Sequence, residues 1–227
     1  MQFPNAYAGV KKIFTAEILS LIAGVCLIIG SIVGVVVIAL ASAAASDPNA
    51  AASAVVSGLI TLVFTLAASV LGIIALILTL VGLKRAGLDE DEFNKGFIFA
   101  VCALVLTVVS AIVSSIWGTT IADEIVSAVT RIMQMLVTLF VINGISNLAD
   151  KLGETQIAAG SKKFYGFYAF LMCVSIVLGI VGPLVGIGSV ASIATGIIAM
   201  VSSIAMFVAY IIYLVYLGKA KKMLARH

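Results

Sequence analysis

Residues 18–40 read ILSLIAGVCLIIGSIVGVVVIAL, an apolar stretch without a single charged residue. A helix of about 20 residues crosses the roughly 30 Å hydrocarbon core of a bilayer, so this stretch is long enough to span a membrane. Although Ala41-Ser42-Ala43 resembles a cleavage site, the apolar region of a secretion signal covers only about 7–15 residues. We therefore interpret residues 18–40 as part of an uncleaved first transmembrane span.

Five similar stretches follow along the chain. Hydrophobic residues make up 63% of the sequence and charged residues 10%, with a mean hydropathy of +1.29, whereas a soluble domain has roughly 45–50% and about 25%. The stretches are continuously apolar and do not alternate as the strands of a membrane barrel do. The sequence therefore predicts an all-α, polytopic transmembrane helical bundle, a single domain over residues 1–227, with six spans at about 14–41, 54–83, 97–117, 122–144, 164–187 and 190–217.

The basic residues define an orientation for these six spans. Twelve of the thirteen lie on one side: two before span one, three between spans two and three, three between spans four and five, and four after span six. The opposite connections, around 42–53, 118–121 and 182–189, contain none. Because positive charge accumulates on the inner side of a membrane, both termini are predicted to be cytoplasmic. The compact, short-looped design favours a cell membrane, namely the bacterial cytoplasmic membrane.

The six spans also divide into three two-helix hairpins with shared features. The first span of each follows a lysine and aromatic residues, and the second ends at a glycine: Gly82, Gly144 and Gly218. One interpretation is a parallel threefold repeat around an axis along the membrane normal. The other is that any hairpin protein obeying the positive-inside rule has this appearance. Both interpretations remain open.

Local signals predict where several helices begin and end. Gly87 and Gly153 are expected to close spans two and four as left-handed caps, and Ser161 to begin span five. Asp89 with Glu92 resembles a capping box at the start of span three. Consecutive carboxylates at a helix start point in different directions, so capping explains this acidic run better than a metal site does.

Arg131 is the one basic residue inside a predicted span. At about 100° per residue it shares an arc of roughly 80° on span four with other polar residues: Thr120, Glu124, Ser127, Gln134 and Thr138. A charge at the bilayer centre is costly, so this stripe is expected to face other helices or a hydrated cavity. Arg131 either extends outward to Glu124 or Asp123 as a structural anchor, or it binds an anionic group along a substrate or ion path.

Glu17 completes the set of candidate path residues. It lies near the inner end of span one, five residues after Lys12. Pairing with a nearby lysine is the simpler interpretation, and a carboxylate that couples transport to protons or cations is the alternative.

Gly30 and Gly34 have the GxxxG spacing that lets helices approach closely, which favours packing within one chain.

Known catalytic and cofactor motifs are missing from the sequence. It has no HExxH, GxSxG, P-loop or dinucleotide-binding pattern, and its three cysteines form no CxxC pair. We therefore expect no catalytic residues, no metal and no cofactor. The favoured function is that of a non-enzymatic structural or complex-forming membrane protein. A small-solute or ion transporter or channel using the span-four stripe is the alternative, and a membrane-embedded enzyme a second alternative. The expected partners are membrane lipids and either other membrane proteins or a second copy, but not nucleic acid.

Overall fold

The protein, in a computed structural model, is described over residues 2–43, 48–117, 121–181 and 190–227, with side chains over 2–37, 55–113, 115, 125–177 and 200–227. Six helices fill these ranges: α1 Pro4–Ala43, α2 Pro48–Ala86, α3 Asp91–Trp117, α4 Ile121–Lys151, α5 Thr155–Val181 and α6 Val190–Arg226. The predicted all-α fold with six helices is confirmed.

The helices are longer than the apolar stretches that identified them. α1 has 40 residues, which at about 1.5 Å per residue is roughly twice the thickness of the hydrocarbon core. The added turns lie mainly where the basic residues cluster: α1 begins ten residues before its predicted span and α5 nine before. The prediction that Ser161 begins span five is therefore wrong, because Ser161 lies inside α5 and is buried.

Apolar side chains cover the outside of these helices. Among the described residues, five helices are long and apolar enough to cross a membrane, and only 11–33% of the residues in their most apolar windows are buried. The described side chains of α5 end at residue 177, so α5 is not counted among these five helices. Exposed apolar surface of this extent is stable in lipid and not in water. The chain is a multi-pass helical membrane protein.

Two helix ends test the predicted glycine caps. Gly153, with φ of +74°, closes α4 in the left-handed conformation, as predicted. The prediction for Gly87 is wrong, because its φ is not positive. A Cβ at Gly87 would instead lie 3.1 Å from the Cβ of Asn94. Close approach of α3, and not backbone conformation, therefore explains the glycine at position 87. The connection predicted around 182–189 lies outside the described residues.

The chain groups into two compact units, residues 12–79 and residues 1–11 with 80–227; the single domain expected from the sequence stays a prediction. In the first of these, the facing parts of α1 and α2 pack through small residues. A Cβ on Gly30 would lie 3.4 Å from the Cβ of Phe64, and one on Gly34 3.8 Å from Thr61 Cγ2. The predicted close packing at the GxxxG pair is confirmed within the chain.

In the larger unit, α4 packs between α3 and α5, and α6 packs on α5. Its buried core lies where the first turns of α1, α3 and α5 meet the last turns of α2, α4 and α6, which we call the basic end. Phe93, Ile145, Leu148 and Leu217 are completely buried there. The packing of the larger unit is therefore concentrated at the end that carries its basic residues.

A close contact joins the two helices of each hairpin at the basic end. A Cβ on Gly9 of α1 would lie 2.5 Å from the backbone oxygen of Gly82 on α2. On the next hairpin, Phe93 of α3 packs over Gly144 of α4, where a Cβ would meet its ring at 2.8 Å. On the third, Ser161 and Tyr216 share a hydrogen bond of 2.5 Å. The recurring contacts agree with a threefold repeat, which stays a prediction.

Candidate functional site: the polar face of α4 and its cavity

The predicted stripe lies on an outward face of α4. Ser127, Arg131 and Gln134 are exposed, and Thr138 is half-buried, with its Oγ1 3.5 Å from the hydroxyl of Tyr168 on α5. The side chains of Thr120 and Glu124 lie outside the described residues. The polar face therefore does not line an enclosed cavity within the described part of this chain.

Arg131 is placed where a charge is least favourable in a bilayer. The apolar part of α4 runs from residue 125 to residue 142, and Arg131 lies about 4 Å along the axis from its midpoint. No described side chain forms an ion pair with Arg131. Even the mildest scale assigns about 2.5–3.5 kcal/mol to an arginine at this depth. A polar or anionic group beside Arg131 would reduce this cost.

Two serines lie at the depth of Arg131 on the neighbouring helices. α4 and α5 are antiparallel and place Thr138 beside Tyr168, so seven residues further along each helix Arg131 is level with Ser175. The Ser175 hydroxyl is 3.3 Å from that of Ser202 on α6. A polar layer made of α4, α5 and α6 side chains thus crosses the apolar part of the bundle.

A cavity of about 190 Å³ opens between α4 and α5 at the basic end. On α4 its lining residues begin one turn after Thr138, in the direction of the basic end. Ser161, one of its lining residues, shares a hydrogen bond with Tyr216 of α6. The Tyr216 hydroxyl is also 3.5 Å from the Ile142 carbonyl oxygen. Its lining is Ile142, Asn143, Ser146, Ser161, Lys162 and Tyr165.

Aromatic rings of α5 and α6 pack together close in sequence to the lining residues Ser161, Lys162 and Tyr165. The Phe164 ring stacks on Tyr213 of α6, with centroids 6.5 Å apart, and lies 5.8 Å from the Tyr168 ring. Phe164, Tyr168 and Tyr213 are buried, whereas Tyr165 is 43% exposed. Tyrosines at such a level are typical of the membrane–water interface. Tyr165, which lines the cavity, is a residue type characteristic of the headgroup level.

The acidic run between α2 and α3 joins three helices at the basic end. Asp89 accepts hydrogen bonds from Asn5 and from the Ala6 backbone N–H, at 3.0 and 2.7 Å. Glu90 accepts from Asn147 and Lys151 on α4, at 2.9 and 2.5 Å. The expected Asp89–Glu92 capping box is wrong, because Asp89 caps α1 and not its own helix.

Glu92 forms the third contact of the acidic run. Lys95 donates to it at 2.7 Å, and this hydrogen bond, together with one from Asn143, lowers the pKa of the Glu92 carboxyl. The same hydrogen bond raises the pKa of Lys95. The carboxylates of Asp89, Glu90 and Glu92 are thus all engaged in hydrogen bonds within the chain. Among the described residues no cluster of metal-ligating side chains occurs, so none of them suggests a resident metal.

Glu17 lies apart from the polar face of α4 in chain position. It is half-buried on α1, in the unit of residues 12–79, and it already has an interaction partner. The two roles considered for Glu17 both stay predictions.

On α3, the Thr107 hydroxyl donates a hydrogen bond to the carbonyl oxygen of Ala103 at 2.9 Å. This hydroxyl is therefore satisfied by its own helix.

The sequence did not predict that Ser146 and Ser161 would line a cavity. Ser146 and Ser161 are ordinary helix residues in the sequence, and only the pairing of α4 with α5 brings them to one cavity. The available signal for a site here was Lys162, which lies beside aromatic residues at the start of an apolar stretch.

Comparison with protein-family models, characterised proteins and solved structures finds no match for this chain.

Proposed function

We propose that this is a non-enzymatic, complex-forming membrane protein that uses the polar face of α4 to bind a transmembrane helix of another protein. The supporting observation is Arg131, which is exposed near the middle of an apolar helix and has no described ion-pair partner. Covering Arg131, Gln134 and Ser127 with a polar partner removes the cost of placing them against lipid tails.

Charge complementarity specifies the chemistry of the partner. An arginine at mid-bilayer is neutralised best by a carboxylate at the same depth. Of the ten Asp and Glu residues, only Glu17, Asp123 and Glu124 fall within the predicted spans, and all three lie near span ends. A second copy in the same orientation would also place Arg131 level with its own counterpart. The partner is therefore a different protein with an Asp or Glu inside a membrane helix.

The basic residues support a finer location within this proposal. The contacts among Asn5, Asp89, Glu90 and Lys151 gather the helix ends that carry positive charge. By the positive-inside rule this end faces the cytoplasm, with both chain termini there, and a bacterial cytoplasmic membrane suits the compact hairpins.

A second candidate function, transport of a small anion, is favoured by one observation. Ser175 and Ser202 lie level with Arg131 and add hydroxyls to its layer. Under this alternative Arg131 binds the transported anion as it crosses, and no partner helix is needed. The two functions differ in what covers Arg131.

Photo-crosslinking distinguishes them in intact cells. A photoreactive amino acid at position 134 is expected to capture one membrane protein, and identification of the captured peptide should reveal a membrane helix with an Asp or Glu. Arg131→Leu should reduce the adduct at least tenfold, while Arg131→Lys should retain most of it. Arg131→Glu combined with arginine at the partner's acidic position should restore the adduct.

The matched control is the same photoreactive residue at position 129, which is also exposed but lies about 160° around α4 from Arg131. It should not capture the same helix. An adduct between two copies of this chain, or an adduct that Arg131→Leu leaves unchanged, would contradict the proposal. An Arg131-dependent anion flux in vesicles containing only this protein would support the transporter instead.

A further inference from the structure

We infer that the cavity between α4 and α5 binds the phosphate headgroup of an anionic phospholipid. This site is separate from the partner-binding face near Arg131 and does not depend on it. The inference rests on the donors that line the cavity, its size and depth, and the apolar strip that leads away from it.

Hydrogen-bond donors line the cavity, and none of the described residues that line it carries a carboxylate. Ser146 is only 4% exposed, yet its hydroxyl makes no hydrogen bond with another described group. None of the described side-chain polar atoms is both fully enclosed and without a hydrogen bond, so the Ser146 hydroxyl is not fully enclosed. Ser146 lines the cavity, so its hydroxyl is available to a ligand bound there. The Lys162 ammonium and the Tyr165 hydroxyl stand at the rim and have no described partner. A hydroxyl, a phenol and an ammonium together match an anion with several acceptor oxygens.

The Glu92 carboxylate, which contacts a residue of the cavity lining, does not cancel this preference. Asn143, which also lines the cavity, donates to Glu92, and the Glu92 carboxylate is already paired with Lys95 at 2.7 Å. Lys163 follows Lys162 directly and adds to the local positive charge. Basic pockets between membrane helices at the headgroup level are where anionic lipids bind.

The size of the cavity favours a headgroup whose tails remain outside. At about 190 Å³ it is smaller than the roughly 300–1,000 Å³ of a typical small-molecule site. Ala169, Met172 and Ile176 follow Tyr165 at spacings of four, seven and eleven residues, so they share its face of α5, and all three are half-buried. An acyl chain lies along this strip when the phosphate occupies the cavity.

Lipid titration followed by native mass spectrometry tests the inference on the full-length, delipidated protein. Phosphatidylglycerol should bind at a single saturable site, at least tenfold more tightly than phosphatidylcholine of the same chain length. Lys162→Gln should weaken phosphatidylglycerol binding about tenfold more than Lys163→Gln does. Lys163 is the matched control, because it is an exposed cation on the same turn of α5 but does not line the cavity.

Ser146→Ala provides a second variant without any change of charge, and it should weaken the same site several-fold. Lys162 is exposed, so Lys162→Gln should leave the melting temperature unchanged and its effect will not reflect unfolding. Equal losses for the two lysine variants, or equal binding of the two lipids, would overturn the inference. So would displacement of phosphatidylglycerol by millimolar inorganic phosphate, since the site would then serve a soluble anion. Crosslinking from position 134 should persist in Lys162→Gln, which separates this outcome from that of the proposed function.

Discussion

Gly9 lies where the first turns of α1 cross the last turns of α2. A side chain there would meet the Gly82 carbonyl oxygen at 2.5 Å and the Ala86 Cβ at 2.6 Å. Backbone atoms cannot rotate away as a flexible side chain can, so the two helices would have to separate. At Gly144 the obstacle is instead the Phe93 ring, which is held in a fully buried site.

Gly9→Ala is therefore expected to destabilise the protein by about 1–3 kcal/mol, the usual cost of overpacking. The measurement is thermal unfolding in a mild detergent, followed by the loss of helical circular dichroism. Gly160→Ala is the control, since Gly160 precedes Ser161-Lys162 as Gly9 precedes Val10-Lys11. A Cβ on Gly160 would meet nothing within 4 Å. It should be neutral or stabilising by up to about 1 kcal/mol, because glycine is a poor helix former. Equal melting temperatures for the two variants would show that α1 does not approach α2 this closely.

At the scale of helices, the acidic run connects the start of α1 to the rest of the basic end. Asp89 reaches the backbone N–H of Ala6 across 83 positions of sequence, whereas a helix is usually capped by the residue just before it. The carboxylate also lies at the positive end of the α1 dipole. Glu90 and Glu92 contact α4 differently, through the side-chain amides of Asn147 and Asn143 near its C-terminal end.

Asp89→Ala is expected to loosen the first turn of α1, at a cost of about 0.5–2 kcal/mol, as for the loss of other N-caps. Hydrogen exchange of peptides covering residues 3–10 should accelerate several-fold, while peptides from α4 change little. Asp89→Asn keeps an acceptor but loses the charge, so its effect should be smaller. Asp91→Ala serves as the control, because Asp91 makes no described hydrogen bond to α1. Unchanged exchange near Ala6 in Asp89→Ala would refute the capping role.

The sequence was sufficient to predict the helices but not their contacts. Hydrophobic stretches and lysine positions identify six helices because lipid selects both features strongly. At the basic end the predicted spans start too late, as at Ser161, and end too early, as at Gly144. The reason is that turns outside the apolar stretch are stabilised by packing. Arg131 was identified because a charge in an apolar helix is unusual. The cavity was missed because Ser146 and Ser161 gain meaning only from the register of α4 against α5.

At the scale of the whole molecule, dense packing and exposed apolar surface occur in different places. Completely buried side chains such as Ile145 and Leu217 lie at the basic end. Further along the helices, large apolar residues are exposed, for example Phe170 at 64% and Ile32 at 62%. Lipid tails satisfy such surface, whereas the polar layer near Arg131 is not satisfied in this way. The basic end therefore sets the packing of the larger unit, and the bilayer contact begins beyond it.

If the basic end faces the cytoplasm, reagents outside the cell should not reach it. In a variant with Cys26, Cys102 and Cys173 replaced by serine, a single cysteine at position 84 or 162 should react with a membrane-impermeant maleimide only after permeabilisation. A single cysteine at position 119, in the predicted connection 118–121, should react in intact cells. The positive-inside rule requires this asymmetry, because Lys84 and Lys162 belong to the basic segments and residues 118–121 contain no basic residue. Labelling of position 162 in intact cells would reverse the orientation, and it would move the inferred phosphate site to the outer headgroup layer.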